Sequence, residues 1–209
     1  MYNINKLISE ENALLSTQRI SEILKEAGVL MEGHFLLTSG RHSDKYLQCA
    51  RIFRNTRYSR ELCSELASFF AGDGIGLVIG PAMGAVQMAY EVSAHLNCEN
   101  FFTERDENGR MALRRGFEII PGTKTLVVED VVTTGGSVFE VIELVRAAGG
   151  IVAGVGSIVD RTGGKIDFGV KFKSVYCADV TSWEADECPL CKQGGIELVK
   201  PGSRKKPLA

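Results

Sequence analysis

The chain of 209 residues is about 1.4 times an ordinary domain, so one domain with a substantial core is expected. A composition of 44% hydrophobic and 24% charged residues excludes a disordered chain, and a net charge of −2 excludes a surface built wholly for polyanions. No apolar run approaches the roughly 20 residues of a membrane span, and the opening residues, with Glu10 and Glu11 behind Lys6, lack the form of a signal peptide.

Taken in chain order, Ile20, Ile23, Leu24 and Ala27 have helical spacing, which predicts a helix over 17–27 stopped by Gly28. Strands are predicted at His34–Ser39 and Lys45–Cys49, around a Ser39-Gly40-Arg41 turn. A second helix follows over 56–71, with Tyr58, Leu62, Leu66 and Phe69 on one face. A regular alternation comes next: strand Ile75–Ile79, helix 84–96, strand Asn100–Thr103, strand Thr125–Val128, helix 136–148 and strand Ile151–Val159. Near-continuous apolar strands separated by helices predict parallel βαβ units, hence an α/β fold with a central parallel sheet flanked by helices.

The interval Glu104–Glu118 breaks this rhythm. It carries Arg105, Arg110, Arg114 and Arg115 against Glu104, Asp106, Glu107 and Glu118. Two readings stand side by side: a functional excursion, or a solvent-exposed hairpin laced with ion pairs.

The segment from Thr125 to Ser137 carries the chemistry. A buried strand runs out into Glu129 and Asp130, then Val131, Val132, Thr133, Thr134, Gly135, Gly136 and Ser137 lead into a helix. Ligands of parallel sheets bind above the carboxyl ends of strands, and a small-residue loop before a helix N-terminus suits a phosphate. The paired acids suit vicinal hydroxyls or a cation, so a ribose 5-phosphate fits both halves. The competing reading is a helix start capped by Thr133 or Thr134, with the acids as ordinary first-turn charges. Neither G-x-x-x-x-G-K-[ST] nor a strand-to-helix G-x-G-x-x-G is present.

The run Val128-Glu-Asp-Val-Val-Thr-Thr-Gly-Gly-Ser137 closely resembles the phosphoribosyl pyrophosphate motif of type I phosphoribosyltransferases, and its wording resembles the orotate branch of that family. Three further stretches share the resemblance: Gly33-His-Phe-Leu-Leu-Thr-Ser-Gly-Arg-His-Ser-Asp-Lys-Tyr46, Gly80-Pro-Ala-Met-Gly84 and Val159-Asp-Arg161. The resemblance extends over nearly the whole chain, roughly residues 17–205. The resemblance implies a single type I phosphoribosyltransferase domain over 1–209. Its core would span about 51–177, its hood would come from about 1–50 and 178–209, and a mobile loop would occupy 104–115.

The implied reaction transfers 5-phosphoribosyl from phosphoribosyl pyrophosphate to orotate, giving orotidine 5-phosphate and pyrophosphate with Mg²⁺, in pyrimidine biosynthesis. Glu129 and Asp130 would hold the ribose hydroxyls, and Thr133–Ser137 the 5-phosphate. Thr133 and Arg161 would contact orotate, with Thr38 and Tyr46 also in the binding set. Gly80–Gly84 resembles the loop that receives pyrophosphate. The mobile loop would act across a homodimer, with Arg105 the best match to the family's basic pair and Arg114 or Arg115 as alternatives. The chain departs from the family in three places: Thr38 replaces a frequent Lys, a Lys near Gly84 is missing, and the loop lacks a His. The rival functions are transfer to another base, and a regulator that senses phosphoribosyl pyrophosphate.

Several features are left without a function. Cys188-Pro-Leu-Cys191 has the spacing of half a zinc site, but its other ligands would have to be distant cysteines or lie in a second subunit, so it reads as a reduced turn. His34, His42 and His95 show no ligand spacing, and no protein metal ligand is assigned. Trp183 reads as packing. The basic residues Lys200, Arg204, Lys205 and Lys206 read as a solvated end, not a nucleic-acid site. Six scattered cysteines point to reduced thiols in the cytoplasm.

Overall fold

The computed structural model describes residues 14–37, 39–178 and 181–201. Helix α1 (Thr17–Glu26) starts where the Ser16 side chain accepts a hydrogen bond from the Arg19 amide, and it buries Ile20, Ile23 and Leu24. Strands β1 (Leu30–Leu36) and β2 (His42–Leu47) follow, then a 3-10 helix (Cys49–Arg54) and helix α2 (Thr56–Ser68), capped by the Asn55 side chain. The rest of the chain runs β3 (Leu77–Pro81), α3 (Val86–Leu96), β4 (Glu99–Arg105), β5 (Met111–Leu113), β6 (Lys124–Val132), α4 (Gly136–Ala147), β7 (Ile151–Asp160), β8 (Phe172–Cys177), α5 (Pro189–Gln193) and β9 (Leu198–Val199).

Six strands form one sheet in the order β5-β4-β3-β6-β7-β8, parallel throughout except at the edge strand β5. Side-chain alternation divides the core in two. Val78, Leu126, Val128 and Ile158 pack with Leu62, Leu66 and Met88 of α2 and α3. Ile79, Val127 and Val155 pack on the other face with Val138, Val141, Ile142 and Val145 of α4. Both faces are covered, which is why these strands read as continuous apolar runs.

A second sheet, β2-β1-β9, joins an early hairpin to residues near position 200. The intervening segment is tied to it: His42 and Trp183 exchange backbone hydrogen bonds of 2.8 and 2.9 Å, and the Ser43 hydroxyl donates to the Thr181 carbonyl at 2.8 Å.

Several elements differ from the sequence-based expectation, among them β1 and β2, which begin at Leu30 and His42, and α5 and β9, which were not expected. Strand β6 runs on through Glu129 and Asp130 to Val132, because the ten-residue β7 pairs with it as far as Val132 opposite Asp160. Cys49 begins the 3-10 helix instead of ending a strand. Strand β8 was not expected: it is an edge strand that is half exposed, so Lys173 and Ser174 interrupt its apolar pattern.

Candidate active site

The order of the large sheet reverses at β3: the chain moves outward to β4, then returns to place β6 on the other side of β3. Such a switch point opens a crevice between the carboxyl ends of the two strands. Here the crevice lies between the Pro81–Gly84 turn and the end of β6. Gly84 permits the close approach, since a Cβ there would lie 3.1 Å from both carboxylate oxygens of Asp130. Gly80 is equally constrained, as its Cβ would meet the Ala85 Cβ at 2.5 Å.

Glu129 and Asp130 stand side by side at this crevice. Burial pushes both carboxyl pKa values up, and the charge of Asp130 raises Glu129 further. The Val131 amide donates to Asp130 Oδ1 at 2.8 Å, which offsets part of its shift. Among the described residues no cationic side chain contributes to either group. The pair therefore holds negative charge poorly until a hydroxyl donor or a cation meets it.

From the end of β6 into α4, Val131 to Val138 line a cavity of about 80 Å³ together with Glu129. Gly135 sits at the N-cap of α4 with φ +73°, and a Cβ there would collide with Ile166 Cδ1 at 2.4 Å and Phe168. Only glycine meets both conditions. The helix start is therefore not capped by Thr133 or Thr134, and no acid stands in its first turn. With no side-chain cap, the first-turn amides and the positive helix end face the cavity.

Arg161 follows β7 directly, and its amide donates to the Val132 carbonyl at 2.9 Å. Strands β6 and β7 are adjacent and parallel, so Arg161 lies beside the start of the Thr133–Ser137 loop. Its neighbour Asp160 is occupied elsewhere, accepting from the amides of Thr162 (2.7 Å) and Gly164 (2.8 Å). Among the described residues no ion pair involves Arg161, and its buried Nε has no partner. Burial lowers the guanidinium pKa, while Cys49 and Tyr46 oppose that shift. Tyr46 of β2 is half-buried, with its pKa raised by desolvation and pulled down by Arg161. Tyr46 of β2 and Cys49 of the 3-10 helix thus lie close enough to Arg161 to act on its charge. Cys49 was not singled out in the sequence, and only its position at the turn into the 3-10 helix brings it there. Thr38 lies outside the described residues.

The 104–115 segment is a hairpin. Strands β4 and β5 pair through Thr103–Leu113 and Arg105–Met111, with Asp106 Oδ1 accepting from the amides of Asn108 and Arg110 in the turn. Arg105 forms a two-pronged pair with Glu140 of α4, both contacts at 3.0 Å, and also donates to the Gly109 carbonyl. Arg115 pairs with Glu104 at 2.8 and 2.9 Å. Arg105 and Arg114 share an open recess with Asp106 and Glu107. The structure therefore brings together Tyr46, Glu129, Asp130, the Thr133–Ser137 loop and Arg161, and it holds Arg105 and Arg114 apart on the hairpin.

This arrangement of crevice, acids and phosphate-sized cavity defines a phosphoribosyl-binding enzyme. Residues 50–187 match the phosphoribosyl transferase domain, and the chain belongs to that family. A protein of Pelotomaculum thermopropionicum named orotate phosphoribosyltransferase is 54% identical over 191 residues, which span 91% of this chain and 100% of that protein. One of the same name from Caldanaerobacter subterraneus subsp. tengcongensis is 56% identical over the same shares. The crystal structure of orotate phosphoribosyltransferase from Aeropyrum pernix superposes with a TM-score of 0.66 at 26% identity, covering 76% of this chain and 93% of that one. The adenine phosphoribosyltransferase of Thermoanaerobacter pseudethanolicus shares the fold alone, with a TM-score of 0.57 at 16% identity over 64% of this chain and 88% of that one.

Proposed function

We propose that this chain is an orotate phosphoribosyltransferase, moving 5-phosphoribosyl from phosphoribosyl pyrophosphate to orotate in pyrimidine biosynthesis. The observation that carries the reading is Arg161: a guanidinium at the crevice, with a buried and unpartnered Nε, beside the phosphate-sized cavity. A planar cation left unpaired there matches the 6-carboxylate that separates orotate from uracil.

Departure of pyrophosphate leaves positive, oxocarbenium-like charge on the sugar and added negative charge on the leaving group. The chain's task is to orient and to stabilise. The α4 amides and the Thr133, Thr134 and Ser137 hydroxyls hold the 5-phosphate, Glu129 and Asp130 accept from the 2- and 3-hydroxyls, and Thr133 and Arg161 hold orotate. The raised carboxyl pKa values fit this role, since hydroxyl donors or a cation would return the acids to their charged form. Mg²⁺ bound with the diphosphate would supply charge neutralisation on the leaving group, and Asp130, close to Gly84 of the Gly80–Gly84 turn, would be the carboxylate to face it.

In the reading we favour, the enzyme is a cytoplasmic homodimer. The hairpin of one subunit then delivers Arg105, or Arg114, to the crevice of the other, and closure keeps water from the sugar cation. Among the described residues no helix is long and apolar enough to cross a membrane.

Pyrophosphate release with orotate, uracil and hypoxanthine as competing acceptors tests the reading. Turnover should require phosphoribosyl pyrophosphate and strongly favour orotate. Equal or greater turnover with uracil would overturn the orotate assignment, and turnover with hypoxanthine alone would move the enzyme to another branch of the family.

A further inference from the structure

Four side chains with metal-ligating chemistry meet on the small sheet, apart from the crevice: His34 of β1, His42 of β2, and Cys188 and Cys191 around the start of α5. His34 Nε2 lies 3.1 Å from His42 Nδ1, 3.4 Å from Cys188 Sγ and 3.6 Å from Cys191 Sγ. Cys191 Sγ lies 3.2 Å from His42 Nδ1, and all four donor atoms fall within 4.8 Å of one another. A tetrahedral zinc ion with bonds of about 2.3 Å to sulfur and about 2.05 Å to nitrogen sets N–N and N–S edges of about 3.3 and 3.5 Å. The measured separations match those edges.

The surroundings point the same way. His34 Nδ1 lies 3.3 Å from the Ile196 carbonyl, and donation of its proton there leaves Nε2 bare and aimed at the cluster. His34, His42 and Cys188 are 3%, 5% and 0% exposed, while Cys191 reaches solvent and opens a way in. Pro189 fixes the first turn of α5, so residues 188 and 191 present both sulfurs to the histidines.

We propose that His34, His42, Cys188 and Cys191 bind a structural zinc ion that clasps the 181–199 segment onto the small sheet. With four protein ligands the coordination sphere is closed, which assigns the ion to structure and not to the transfer reaction. The two histidines lie on either side of the Leu37–Arg41 backbone hydrogen bond, so the ion fixes both strands of a hairpin whose Arg41 already holds Ser182. The inference does not depend on which base the enzyme uses.

The test is metal analysis of the full chain, purified without an affinity tag and dialysed under reducing conditions. One tightly held zinc per chain is expected. Exchange for Co²⁺ should give the visible bands of a tetrahedral site and thiolate charge transfer in the near ultraviolet. The Cys188→Ser/Cys191→Ser protein should lose both signals, and a strong chelator should lower the melting temperature of wild type by several degrees but not that of the variant. Should that variant fail to fold, His42→Cys keeps a four-ligand set and should retain cobalt with stronger charge transfer. Substoichiometric zinc with free thiols, a Cys188–Cys191 disulfide in the purified chain, or full zinc retention by the double variant would each overturn the proposal.

Discussion

The crevice at the ends of β6 and β7 and the β4–β5 hairpin are both polar, and both lie at the carboxyl edge of the large sheet, yet they handle charge in opposite ways. In the first, two acids, a helix N-terminus and Arg161 stand close together with hydrogen-bonding capacity unused. In the second, Arg105 is matched to Glu140 and Arg115 to Glu104. Unspent donors and acceptors in a crevice are a preformed site for a ligand that supplies the missing partners. Paired charges on an exposed hairpin describe a resting arrangement, and any role in transfer requires those pairs to be exchanged.

The sharpest way to break the contrast is Arg161→Ala. Loss of a charge-assisted, two-pronged bond of about 1.5–3 kcal/mol should raise KM for orotate about 10- to 150-fold and leave KM for phosphoribosyl pyrophosphate nearly unchanged. Equal effects on the two constants in steady-state kinetics would remove Arg161 from base recognition.

Asp130→Asn should lower kcat/KM by about 10- to 100-fold in a protein whose circular dichroism is normal and whose melting temperature is not lowered, because its carboxylate orients the ribose. Near-normal kinetics would mean the acid is only a neighbour of Gly84.

The paired hairpin is tested by mixing. If it serves the neighbouring subunit, equal amounts of Arg105→Ala and Asp130→Asn chains, after verified exchange, should recover about a quarter of wild-type activity. Half the dimers are then mixed, and each mixed dimer has one intact composite site. No recovery would place the hairpin's action within its own chain, or the catalytic role on Arg114 or Arg115.

The smallest effect concerns what the unpaired acids cost. A carboxyl whose folded pKa is raised favours folding below its ordinary range, and that advantage is lost as pH rises through the raised value. Glu129→Gln should therefore melt higher than wild type at pH 8, by about 2–4 °C for roughly 1 kcal/mol, and lose that advantage near pH 4. No difference at pH 8 would show that Glu129 already has its partner in the free protein.

How much could be read from the sequence follows from how far apart the cooperating residues lie. The acids, the glycines and the α4 start are contiguous, so one nine-residue run displays the site. The βαβ alternation is equally local, since strands buried on both faces keep their apolar run wherever they pair. Arg105 offers no such sign: its partner Glu140 is 35 residues away on α4, and the ion-paired hairpin stood as only one of two readings. The His34–Cys188 approach spans 154 residues. Neither histidine has ligand spacing of its own, and only the β1–β2 pairing and the return of the chain bring the four groups together.

The return of residues 198–199 to lie beside residues 34–35 also sets an order of assembly. A growing chain that has reached position 178 contains every strand of the large sheet, while the partners of β1 and His42 at 183–199 have not yet been made. The large sheet can thus fold during synthesis, while the β1–β2 hairpin of the small one gains its third strand, β9, only by a closure across more than 160 residues. The floor of the crevice, with the Thr133–Ser137 loop and Arg161, is thus made first, and a chain truncated before position 183 should keep it while the small sheet remains a two-stranded hairpin.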